Sequence, residues 1–90
     1  MTVRNIRGTS SSNRSVAWLS MWKTFAGHSP SKRVPCAIRG CTATAEVGAH
    51  VVKDYTGMRQ YIVPMCHEHN LQYGVDLPIC EWANPMPVVR

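Results

Sequence analysis

The sequence predicts a small α+β domain: an amphipathic helix, a cysteine-bearing turn, a β-hairpin and a second helix. Three observations carry this expectation. Apolar residues recur at helical spacing through residues 15–26. Two runs of strand composition, Val47 to Val52 and Tyr61 to Val63, flank the turn-rich segment DYTGMRQ. Cysteine and histidine gather in two short groups, one before the first run and one after the second. With 90 residues the chain makes one domain with a small core. Domains of this size commonly add a metal, disulfides or a second copy to become stable.

Taken in order, residues 1–14 are polar, basic and rich in Ser, Thr, Asn and Gly. They predict a flexible basic arm ahead of one domain spanning 15–90. No apolar stretch follows the basic residues, as a signal peptide would need, and no run reaches membrane-spanning length. A cytoplasmic setting is the expectation, and there thiols stay reduced. Residues 15–26 predict a helix with Ser15 as its N-cap and Gly27 as its stop. Trp18, Trp22 and Phe25, with Leu19 alongside, form its apolar stripe and are expected in the core. The connector HSPSKRVP leads to Cys36-Ala-Ile-Arg-Gly-Cys41, where Gly40 offers the backbone angles of a tight turn. After the hairpin, CHEHNLQY predicts a second helix stopped by Gly74. The tail carries three prolines and predicts one short edge strand around Leu77 to Glu81.

The cysteine and histidine spacing is C-x4-C, then 24 residues (42–65), then C-x2-H. Zinc takes four nitrogen or sulfur ligands in a tetrahedron, supplied here as two close pairs. On a first helical turn, C-x2-H sets both side chains on one face. Cys36, Cys41, Cys66 and His69 are therefore the expected ligands of one structural Zn²⁺, which would stabilise a core too small to stand alone. His67 is an alternative to His69, though as the direct neighbour of Cys66 it strains a tetrahedral pair. Cys80 is another candidate, but in a strand-like tail a lone cysteine usually acts as a small hydrophobe. Two disulfides would require an oxidising compartment.

The net charge is +5 and unevenly placed. Arg4, Arg7, Arg14, Lys23, Lys32, Arg33 and Arg39 all precede the first acid, Glu46. Such a one-signed segment suits a polyanion partner, either nucleic acid (DNA or RNA) or an acidic protein surface, and no membrane.

Cys36 and Cys41, then Gly48-Ala49-His50-Val51, then Tyr61-Ile-Val-Pro-Met-Cys66-His-Glu-His69-Asn70 resemble the HNH family with its ββα-metal, treble-clef-like core. The match covers roughly residues 34–73. Arg7-Gly8-Thr9-Ser10, Trp18 and Trp22 extend a second likeness, to small bacterial and phage proteins with an RGTS-like start, GAHV and a YIVPLC..HN-like motif. The HNH resemblance implies that His50 is the general base activating a water against a phosphodiester. It also implies that Asn70 holds a catalytic Mg²⁺ or Mn²⁺. Two departures stand against this. Ala49 replaces a metal ligand, and Gln60 and Tyr61 occupy the region of the asparagine that orients the base. The leading expectation is thus a zinc-binding HNH-like module that binds nucleic acid or a protein with a degenerate catalytic site. An active HNH endonuclease is the second. The third is a phage-type inhibitor or interaction protein acting on a nucleic-acid machine, in the bacterial or host cytoplasm. So short a chain has little room for a small-molecule pocket.

Overall fold

An antiparallel sheet divides the molecule into two apolar layers. The structure, a computed structural model, describes residues 2–6, 13–53 and 59–88, with residues 13–15 described by backbone alone. The central hairpin pairs β2 (Val47–Val52) with β3 (Gln60–Met65) in a register that sets Ala49 opposite Val63 and His50 opposite Ile62. Its turn, 54–58, lies outside the described residues. On the β2 side the sheet continues through β1 (Thr2–Asn5) to β4 (Leu77–Pro78), and on the β3 side it ends at β5 (Met86–Pro87).

Side chains alternate across a strand, so neighbours in sequence enter different layers. Ala49, Val51, Val63 and Met65 join Val3, Cys36, Ala37, Cys66, Leu77, Ile79 and Ala83 on one face. Ile62 joins Leu19, Trp22, Val34, Ala45 and Met86 on the other. This second face is covered by α1 (Asn13–Phe25), which lies across β2 and β3. The approach is close at Gly48. A Cβ there would stand 2.5 Å from the Leu19 nitrogen and 2.6 Å from the Trp18 carbonyl carbon, so only glycine fits. Trp22 is fully buried and donates its Nε1 hydrogen to the carbonyls of Ala83 and Asn84, both at 3.0 Å. One indole thus ties the helix to the tail.

Several expectations are corrected. The segment 1–14 is not an arm throughout: Thr2–Asn5 form an interior strand with Val3 buried. Four residues gain a place in the sheet because both edges of β1 find partners, β2 and β4. The first helix begins at Asn13, so Ser15 lies inside it and is not its cap. Phe25, expected in the core, is 48 % exposed, because the helix ends there and the buried stripe is completed by Leu19, Trp22 and the half-buried Trp18 and Ala26. The second helix, α2 (His67–Asn70), is a single turn that closes at Leu71. The tail supplies not one strand but two, β4 and β5, on opposite edges of the sheet, joined through a 3-10 turn at Glu81–Ala83. Pro78 and Pro87 sit on these edge strands, where a missing N–H costs no ladder bond. Among the described residues, no helix is long and apolar enough to cross a membrane.

Candidate metal centre

The segment Cys36–Cys41 is a tight turn. Cys41 donates its backbone N–H to Ile38 at 3.0 Å, and Gly40 takes φ +85°, a left-handed angle a side chain would strain. The turn is stitched to its surroundings by backbone. Ala37 donates to Pro64, Arg39 to Pro78, and Cys80 back to Ala37, each at 2.8 Å. On the other side, β3 runs directly into Cys66, which is extended (φ −73°, ψ 158°) and starts α2. One turn later His69 returns its ring over Cys66, and the Asn70 N–H closes the turn onto the Cys66 carbonyl at 3.0 Å.

These two elements bring Cys36, Cys41, Cys66 and His69 together, with all four ligand atoms within 4.8 Å of one another. Individual separations are 3.9 Å from Cys36 Sγ to His69 Nδ1, 3.9 Å from Cys41 Sγ to Cys66 Sγ, and 3.1 Å from Cys66 Sγ to His69 Nδ1. Ligands at ordinary zinc–sulfur and zinc–nitrogen lengths stand about 3.5–3.8 Å apart on a tetrahedron, so the cluster has the size of one metal ion. Cys36 and Cys66 are buried; Cys41 and His69 are partly covered. All four cysteines are thiols. Burial pushes the Cys36 thiol up to about 12. A thiolate in that place calls for a cation, and a divalent ion supplies the charge. Among the described residues this is the one group of His, Cys, Asp or Glu side chains placed to hold a metal.

The surrounding residues hold the ligands in place. Asn5 Nδ2 donates to the carbonyls of His69 at 2.8 Å and Gln72 at 2.9 Å, so the interior strand β1 grips the turn that carries a ligand. Glu46 Oε1 accepts the His67 N–H at 3.2 Å at the start of α2. Sequence reasoning missed Asn5. Its partners lie 64 and 67 residues away, and no local pattern announces such a contact.

His67 is exposed and Cys80 half-buried, and neither joins the cluster. His50 sits opposite Ile62 on the α1 face, with Trp18 edge-on at 5.0 Å between centroids. Asn70 is buried in α2, next in sequence to the ligand His69, whose carbonyl Asn5 holds. Of the basic residues, Arg4 pairs with Asp76 at 2.7 Å. Lys23 donates to the Pro30 carbonyl at 3.2 Å, and Lys32, Arg33 and Arg39 are exposed. Arg7 and the side chain of Arg14 lie outside the described residues.

No protein-family model, curated protein or solved structure matches the chain. The HNH likeness therefore rests on its motif residues alone. At the coarser level, the chain is a small mixed α+β domain with a buried three-cysteine, one-histidine cluster suited to a metal ion.

Proposed function

We propose that this chain is a small nucleic-acid-binding module whose fold is closed by one structural zinc ion. The four-atom cluster carries the reading. Three thiolates and an imidazole are soft and borderline donors that suit zinc; Mg²⁺ and Mn²⁺ prefer oxygen. Four protein ligands also fill the tetrahedron and leave no position for a substrate or an activated water, which is the pattern of a structural rather than a catalytic site. The ion would join the 36–41 turn to the single-turn α2, two segments with little regular structure of their own.

The charge supports a polyanion as partner. The chain carries ten Lys and Arg against five Asp and Glu, and Lys32, Arg33 and Arg39 are exposed. Ala49 in place of a metal ligand, and Gln60 and Tyr61 in the region of the orienting asparagine, favour binding over cleavage. The test is fluorescence anisotropy with labelled single- and double-stranded oligonucleotides on protein of known zinc content. Expected is binding at low salt that falls steeply as salt rises. Absence of binding at low salt by zinc-loaded, folded protein would remove nucleic acid and turn the search to acidic protein surfaces.

A further inference from the structure

We propose that the surface around Trp82 is a platform for single-stranded nucleic acid, the indole stacking on a base while Arg39, Lys23, Lys32 and Arg33 hold phosphates. This deepens the nucleic-acid reading above and rests on it.

The first observation is the tryptophan itself. Trp82 occupies the 3-10 turn Glu81–Ala83 and is 43 % exposed. It is nevertheless held from beneath. Its ring meets the buried Trp22 at 6.4 Å and 70°, and Trp22 in turn donates to the carbonyls of Ala83 and Asn84, the two residues that follow. A large aromatic face presented to solvent on a fixed support loses little entropy when a base stacks on it.

The second is the charge on either side. Trp22 also meets His28 at 5.7 Å and shares its apolar cluster with Val34, so both ends of the 28–35 connector lie at this end of the molecule. There Lys23 reaches over the connector to the Pro30 carbonyl, close in sequence to the exposed Lys32 and Arg33. Across the turn, Arg39 helps line an open cavity of about 270 Å³ together with Ile79, Cys80, Glu81 and Pro85. Among the described residues no salt bridge engages any of these four cations. Cations flanking an exposed aromatic ring suit a strand whose phosphates and bases are both accessible. The cavity, lined by Glu81 of the same turn, offers a guanidinium donor and a carboxylate acceptor to a base edge.

Unpaired bases are favoured over a duplex by the same geometry. Stacking needs an open base face, which a double helix does not give. A duplex groove is commonly read by a basic helix. Here α1 carries only Arg14 and Lys23 among its 13 residues and lies against the sheet.

The test is fluorescence anisotropy of a labelled single strand of about 12 nucleotides and of the matching duplex. Wild type is compared with Trp82→Ala and Arg39→Gln, each checked for zinc content and a native amide spectrum. Expected is tighter binding to the single strand, a loss of about ten-fold or more in Trp82→Ala, and a shallower salt dependence in Arg39→Gln. Should Trp82→Ala fail to fold, Arg39→Gln decides: unchanged affinity and salt slope overturn the platform. So does unchanged single-strand affinity in a folded Trp82→Ala, or a preference for duplex; both leave nucleic-acid binding standing elsewhere on the surface. No binding of either oligonucleotide at low salt overturns the platform and the broader reading together.

Discussion

On one face of the sheet, four ligands from a tight turn and a one-turn helix converge among small apolar residues such as Ala37, Ala49 and Ala83. On the other, a helix of 13 residues lays Leu19 and Trp22 on Ile62 and Met86 and comes so close that Gly48 has no room for a Cβ. The first face has almost no regular structure outside the strands. Its turns are fixed by backbone bonds and side-chain clamps, and the volume of its core is modest. The second needs no ion, because a long helix with a fully buried indole brings enough apolar surface. On the proposed reading the labour is divided: packing holds the α1 face, and the metal ion would hold the turns of the other.

Breaking the metal face should have the largest effect. Binding of structural zinc contributes on the order of 10–16 kcal/mol in small zinc modules, as much as or more than the whole stability of a small domain. Cys66→Ser is expected to abolish zinc retention and the cooperative thermal transition, measured by metal analysis and circular dichroism. A variant that loses zinc yet melts as wild type would erase the distinction between the faces.

Gly48→Ala strikes the packed face alone. The new methyl would meet helix backbone at 2.5 and 2.6 Å, and relieving such an overlap costs typically 1–3 kcal/mol or more. A lowered melting temperature with zinc content unchanged is the expected outcome. Loss of zinc in parallel would mean that the two faces fold as one.

Asn5→Ala sharpens the coupling between β1 and the ligand turn. Removing the donor of two part-buried hydrogen bonds, to the His69 and Gln72 carbonyls, should cost about 1–3 kcal/mol. Because the clamp orients a ligand, zinc affinity should fall by roughly ten-fold or more, read by competition with a chelating dye. Unchanged affinity would reduce Asn5 to a strand residue. The smallest effect belongs to Arg4→Ala. Its partnership with Asp76 is a half-exposed surface pair, and such pairs contribute about 0–1 kcal/mol. A shift of only a degree or two in melting temperature is expected.

The two faces also differ in how readable they were. Cys36, Cys41, Cys66 and His69 were legible because metal ligands obey short local spacing, and the hairpin because alternation marks a half-buried strand pair. Trp22 was legible as core from helical periodicity, but Phe25 was not separable from it, since periodicity does not say where a helix outruns the sheet. Thr2–Asn5 gave no signal of their own. Four residues with one buried valine become a strand only through partners more than forty residues away. The paired edge strands Leu77–Pro78 and Met86–Pro87 are too short for any periodicity. His50 and Asn70 resembled a catalytic pair along the chain. The alternation of β2 sets His50 on the Ile62 side of the sheet, beside Trp18, a placement that a linear motif does not display.

The most direct test follows the amide NMR spectrum of purified, zinc-loaded protein as a strong chelator removes the ion. Expected is one zinc per chain at the start, and loss of dispersed signals from residues 36–41 and 66–80 as it leaves. A fully dispersed, unchanged spectrum of the metal-free protein would contradict the claim that the ion holds this face.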